Sequence, residues 1–274
     1  MVKSKFIVDG HVHVYGCYDL DKFFQAALAN LGKYAASLYP GEKNIQEILL
    51  FTEGRENDFF TRFKNNECSL KMPGYKFERT KEESSLALTV NGKPLCYILK
   101  GRQIVTRENL EILAAASDRQ IADGLPIRDA VKQIIDREEI AVLAWGVGKW
   151  FFKRGKIIAG IINELRSPYL FIGDNSARPT YWRKPALFKS AEKANIVIIN
   201  GSDPLPFAGE ENKVGAYGFT FNGDFDPQEP ARSFRTALLA NAGDIRFFGS
   251  RDTLPTFFKR QVKMFLKKRA AHPA

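Results

Sequence analysis

The chain has 274 residues, of which 45% are hydrophobic and 26% charged, and its formal net charge is +10. That apolar share builds a sizeable core and excludes a disordered chain; no apolar run approaches the roughly 20 residues that cross a bilayer, so no membrane partner is expected. The cationic excess favours anionic partners such as phosphate esters, nucleic acid or an acidic surface. Cys17, Cys68 and Cys96 are odd in number, widely spaced and form no CxxC pair. Met1 to Lys5 run straight into a strand rather than a secretory leader. The expected compartment is therefore the cytoplasm.

Phe6 to Tyr15 is apolar and β-branched and predicts the first strand. Side chains two apart on a strand share a face. Strict alternation sets Asp9, His11 and His13 on one face and Val8, Val12 and Val14 on the other. Two imidazoles and a carboxylate converging at a strand end can grip a divalent metal. The chain has three histidines, and the third, His272, is close to its C-terminus.

Asp19 predicts the cap of a helix over 20–38, which Pro40-Gly41 ends. A buried strand over 45–51 stops at Thr52-Glu53-Gly54, and a short aromatic helix over 57–63 follows. Strand, helix, strand, helix opens an α/β fold with parallel strands. From about 67 to 105 the pattern turns to short strands, 76–79, 85–90 and 95–99. Asn91-Gly92 between the last two is a two-residue hairpin signal. They read as an antiparallel meander inserted in the α/β body, serving as a cover, a lid or a partner surface. A helix is expected from Thr106 and another after Pro126. Strands at 140–145, 169–175 and 195–203 are each followed by a polar or glycine-rich loop, with helices ending at Leu165 and covering 186–194. A ribbon over 214–223, a helix over 230–240, a strand over 244–249 and a basic helix over 256–269 complete the chain. Polar residues gather after strand C-termini, the end that carries the site in parallel α/β barrels. One domain over 1–274 is expected, a distorted TIM-like (β/α) barrel with the meander inserted at about 67–105.

Two loops add candidates. Gly146-Val147-Gly148-Lys149 follows a strand and offers free N–H groups and a lysine to an anion, without the Ser/Thr of a P-loop. Asp174, Asn175 and Arg178 follow another strand and read either as a substrate-orienting set or as an Asx-turn and helix entry.

Val8-Asp9-Gly10-His11-Val12-His13 resembles the first-strand HxH motif of the PHP (polymerase and histidinol phosphatase) family and of the amidohydrolases. Leu49 to Gly54 resembles the second PHP motif, which normally ends Thr-Asp-His. Val142 to Trp145 resembles a later motif that normally ends Ala-His-Pro, and Gly201-Ser202-Asp203-Pro204 the closing Gly-Ser-Asp-Ala-His. The matches run in family order over most of the chain, and the first and last are the specific ones. The resemblance implies a metal-dependent hydrolase of phosphoesterase or amidohydrolase type acting on a small anionic substrate. His11, His13 and Asp203 would hold zinc, manganese or iron. Asp9, Glu53 and Asp203 would be catalytic, with Asp9 or Glu53 completing the metal shell or taking a proton from water. Lys149, Asp174, Asn175 and Arg178 would orient the substrate. The departures matter as much. Gly54 and Trp145 stand where the family has histidine, and Pro204-Leu205-Pro206 lacks the closing one. A histidine-rich centre of two or three metals cannot be assembled, so one ion or none is expected. The alternative expectation is a catalytically degenerate barrel that binds a ligand or a protein. Nucleic-acid processing is a weaker expectation, suggested by the charge and by the family's link to polymerases.

Overall fold

Asp19 takes extended backbone and its carboxylate accepts from the N–H groups of Asp21 and Lys22, so the first helix starts where its cap is read in the sequence. The computed structural model describes residues 1–271, and His272 lies outside the described residues. In chain order the first half comprises β1 (Val2–Val12), α1 (Leu20–Leu38), β2 (Ile45–Phe51), α2 (Phe59–Lys64), β3 (Tyr75–Arg79), β4 (Ser85–Val90), β5 (Lys93–Leu99), β6 (Arg102–Val105) and β7 (Glu111–Ala115). The second half comprises α3 (Ile127–Ile135), β8 (Ile140–Ala144), α4 (Phe152–Glu164), β9 (Leu170–Asn175), α5 (Ala186–Lys193), β10 (Val197–Gly201), β11 (Tyr217–Phe225), α6 (Pro230–Ala240), β12 (Arg246–Gly249) and α7 (Leu254–Ala271).

The strands divide between two sheets. One has seven strands in the order β12-β11-β1-β2-β5-β4-β3, the other five in the order β10-β9-β8-β7-β6. β1, β2 and β5 run parallel, as do β8, β9 and β10, and the outer strands are antiparallel. This corrects the expected TIM-like barrel. Among the described residues two mixed sheets face each other, and no ladder of strand pairs closes them into a barrel. Antiparallel connections are the reason: β3–β4–β5 and β6–β7 turn back directly, and β12 returns antiparallel beside β11 after α6, where a barrel needs a helix to carry the chain to the next parallel strand. The expected insertion is also part of the main sheet, because β5 pairs in parallel with β2 and β4 and β3 extend outwards from it.

The helix expected from Thr106 is a turn followed by β7. Asn109 takes a left-handed φ of 55°, and Leu110 N–H donates to Thr106 Oγ1. Beyond that turn Ile112 and Ala114 face one core while Leu113 and Ala115 face the other, a period of two that requires a strand.

Three apolar clusters hold the layers. Between the sheets lie Phe6 and Val8 of β1, Leu50, Phe171 and Phe221, closed below by Phe234 and Leu238 of α6. Phe23, Phe24, Phe60 and Phe63 bind α1 and α2 to the outside of the seven-stranded sheet. α3, α4 and α5 cover the outside of the five-stranded sheet. The sheets meet along two seams: an isolated parallel bridge joins Glu53 to Arg102, and β1 crosses β10 at Gly10 and Gly201. No helix among the described residues is long and apolar enough to cross a membrane.

Candidate metal centre

The alternation expected along β1 breaks at one place. Asp9 pairs with Leu49 but Val12 pairs with Phe51, so β1 spends three steps where β2 spends two. The extra residue is a bulge. Before it, Phe6 and Val8 face the core between the sheets, with Ile7 on the outer face. After it, Val12 and Val14 are on the outer face. Gly10 and His11 take the turn together, and His11 and His13 end on the inner side in line with Val8. Asp9 is thereby separated from the two histidines with which alternation groups it.

Above the inner core the two imidazoles meet Asp203, from the loop after β10. The Nε2 atoms of His11 and His13 are 3.0 Å apart, and each is 3.6 Å from Asp203 Oδ1. These three residues form a cluster whose ligand atoms all lie within 4.8 Å of one another. A tetrahedral ion with bonds of about 2.0–2.1 Å sets its ligand atoms about 3.3 Å apart, so the donor set fits one such ion with a coordination position left over. Both histidines are buried, and the Asp203 side chain is a fifth exposed. Burial, with His11 alongside, pushes His13 down to about 3, which leaves its imidazole neutral with a lone pair to give. Burial acts to raise the Asp203 carboxyl, but the combined pull of His11, His13, Arg260 and Lys149 outweighs it and holds the group below the usual aspartate range.

Neighbours fix each ligand. Asp203 has a left-handed φ of 48°, a conformation that aspartate tolerates better than most residues. Its N–H donates to the His11 carbonyl at 2.8 Å, and its own carbonyl accepts from Arg260 Nη2 at 3.0 Å. Arg260 belongs to α7, is almost wholly buried and also pairs with Asp252 and Glu210. Asn175, the last residue of β9, donates from Nδ2 to Asp203 Oδ2 at 2.7 Å and to the Trp145 carbonyl at 3.0 Å. The Gln103 side chain of β6 stands beside His13 and works weakly against its downward shift. Lys149 folds its aliphatic chain over Gly146, pairs with Glu111 of β7, and acts through its charge on both His13 and Asp203.

The other candidates are placed differently. Both Asp9 oxygens are taken by backbone, since Ser202 N–H and Gly215 N–H donate at 2.8 Å each and His11 N–H at 3.3 Å. Asp9 ties β1 to the segments around it, and burial pushes its carboxyl up to about 6. Glu53 accepts from Phe59 N–H at 2.6 Å and Phe60 N–H at 3.1 Å at the start of α2, and burial pushes it up to about 8. Neither belongs to the cluster of potential ligands. Asp174 and Arg178 are buried and paired with each other at 2.5 and 2.8 Å, with Tyr217 Oη adding a bond at 3.3 Å. Trp145 gives the site its carbonyl, while its ring packs edge-on against Trp182.

Over 99% of its length the chain superposes on 99% of PsfC from Pseudomonas syringae PB-5123, with a TM-score of 0.56 and 15% identity. The fold is shared with PsfC. The lesion-specific endonuclease PfuEndoQ from Pyrococcus furiosus is a more distant structural neighbour, with a TM-score of 0.47, 10% identity, and coverage of 90% of this chain and 58% of that one. No family model and no curated protein sequence matches the chain.

Gln103, Glu111 and Arg260 are at the site although sequence reasoning gave them no role there, and Arg260 was expected only within the basic C-terminal helix; the first two share one cause. Gln103 pairs with Leu113, and Glu111 with Ala144, across antiparallel strands. Leu113 and Ala144 face the core between the sheets. Directly opposed residues share a face, so Gln103 and Glu111 look inwards as well. The only local signal for them is the turn at Asn109, which makes 102–115 a hairpin rather than the start of a helix.

Proposed function

We propose that this chain binds one divalent metal ion through His11, His13 and Asp203 and uses it to hydrolyse a small anionic substrate, of phosphoester or amide type. The observation that carries the reading is the triangle of ligand atoms, with edges of 3.0, 3.6 and 3.6 Å, built from two buried imidazoles and one partly open carboxylate. Two imidazoles and a carboxylate suit zinc, manganese or iron. Bound there, such an ion supplies Lewis acidity to a water or to a substrate oxygen.

The residues of the chain divide the remaining work. Asn175 fixes the rotation of the Asp203 carboxylate, and Gln103 stands beside the His13 ring. Lys149 stands beside the open side of the cluster, where its ammonium orients an anion once the anion competes with Glu111 for it. Glu111 then becomes the free carboxylate on the inner face, placed to accept a proton. Asp9 and Glu53 are committed to backbone N–H groups and serve to position the loops.

The test is elemental analysis of the purified protein beside the double variant His11→Ala/His13→Ala. About one metal per chain, absent from the variant, is expected. A screen of phosphoesters and amides with the loaded protein follows. No metal in either protein after incubation with zinc, manganese and iron would sink the reading. The second reading, a binding module without turnover, is favoured by one observation: Lys149 and Arg178, the cations expected to meet a substrate, are both already paired with carboxylates. It expects ligand binding that survives His13→Ala.

A further inference from the structure

The surface beside Trp145 carries apolar side chains that nothing in the fold covers. Phe258, Val262, Phe265 and Leu266 of α7, Phe152 at the start of α4 and Tyr181 in the loop before α5 are each more than half exposed. They are not scattered. Positions 258, 262, 265 and 266 form one stripe at helical spacing. Ring contacts join that stripe to Phe152: Phe258 to Phe257 at 5.5 Å, Phe257 to Trp182 at 6.4 Å, Trp182 to Phe151 at 6.0 Å and Phe151 to Phe152 at 6.4 Å between centroids. Trp182 also meets Trp145 at 6.0 Å, so the patch starts beside the candidate metal centre and runs outwards along α7. The face of α7 that docks on the body is a different one, bearing the buried Phe257 and Arg260.

Charge on this surface is one-sided. No Asp or Glu occurs in 145–163, 176–191 or 253–274. Lys149, Arg178, Lys184 and Arg260 in these segments are paired with carboxylates. Lys153, Arg183, Lys259 and Lys263 are exposed and stand in no ion pair among the described residues. An apolar helical stripe bordered by cations, on a helix that carries no acid of its own, is the chemistry of a helix lying in the boundary layer of an anionic bilayer.

We propose that this face docks the protein on an anionic lipid surface, the apolar side chains of α7 and the adjoining aromatics entering the acyl boundary while the cations meet the headgroups. The docking is peripheral, and it departs from the expectation, drawn from the lack of a bilayer-crossing run, that the chain has no membrane partner. A second copy of the chain fits the patch poorly, because it would set the cations of α7 against themselves. Nucleic acid takes cations and aromatic rings, but Val262 and Leu266 have no π-face on which a base can stack.

Co-sedimentation with vesicles of phosphatidylcholine, alone or mixed with phosphatidylglycerol, tests this. The protein is expected to bind the mixed vesicles about tenfold or more tightly than the neutral ones, and to lose that preference in high salt. Phe258→Ser/Phe265→Ser should weaken binding by about tenfold or more. Lys259→Glu/Lys263→Glu should weaken it by about fivefold or more per lysine. All four positions are exposed, so both variants should melt as the parent does. Absence of binding to either vesicle, equal binding to both, or binding that both variants keep overturns the proposal. So does capture of a single-stranded oligonucleotide by a protein that ignores vesicles. A dimer in sedimentation velocity that Phe258→Ser/Phe265→Ser dissociates, again without vesicle binding, overturns it in favour of self-association.

Discussion

Asn175 spends its amide donors on the Asp203 carboxylate and the Trp145 carbonyl, and that makes it the neighbour on which the ligand geometry most depends. Outer partners of this kind are worth about 10–100-fold in metal affinity. Asn175→Ala should weaken metal binding by that factor in competition with a chromophoric chelator, and should also destabilise the metal-free protein by about 1–3 kcal/mol, because it leaves the buried Trp145 carbonyl without its donor. Glu53 makes a different prediction. Its ordinary value is 4.5 and burial pushes it up to about 8 in the folded chain. Between those values the folded chain keeps a proton that the unfolded chain has released. Unfolding therefore becomes easier as pH rises: the stability is fullest below 4.5 and is lost by about 8, at up to about 1.4 kcal/mol per pH step. Glu53→Gln keeps an acceptor for the Phe59 and Phe60 N–H groups and carries no titration. Urea unfolding across this range should show a flatter pH profile for the variant; an unchanged slope would place the titration elsewhere.

At the scale of elements, the crossing of β1 over β10 decides whether the site exists. A side chain at Gly201 would bring its Cβ within 2.2 Å of His11 N, and one at Gly10 would meet the Asn200 carbonyl at 2.7 Å. Forced overpacking of this kind costs about 1–3 kcal/mol. Gly201→Ala should fall at or beyond the upper end in urea unfolding, and should bind less metal because the clash lies on a ligand's own backbone. The elements that could be read from the sequence carried their signals locally: Asp19 ahead of helical spacing for α1, Asn91-Gly92 between β4 and β5, Pro126 before α3. The His11, His13 and Asp203 grouping was legible through motif likeness. The bulge was not, because Gly10 and His11 turn together in response to β10, nearly two hundred residues away. β7 was misread as helix because Glu108 to Leu113 holds apolar residues at both spacings, and only two cores on opposite sides decide between them. The two-sheet architecture was missed for a related reason: a strand's neighbour is set by its partners and not by its own composition.

Across the whole molecule, the three proposed ligands do not come from one sheet. His11 and His13 end a strand of the seven-stranded sheet, and Asp203 follows the last residues of the five-stranded one. A bound ion therefore clamps the two halves together, and a ligand that binds only the folded chain raises its stability, by about 2.7 kcal/mol at a hundredfold excess over Kd. Zinc or manganese should raise the melting temperature, a chelator should reverse the rise, and His11→Ala/His13→Ala should show no rise. A parent protein whose melting ignores all three metals would remove the clamp.

The same crossing also constrains the sequence. A Cβ at Gly201 or Gly10 would stand 2.2 or 2.7 Å from a backbone atom of the other strand, closer than van der Waals contact allows. Helices, hairpins and even imidazoles can change without touching this junction, whereas a side chain at either glycine strains it. Gly-His-x-His near one end and Gly-Ser-Asp nearly two hundred residues later are thus tied to each other by one packing constraint.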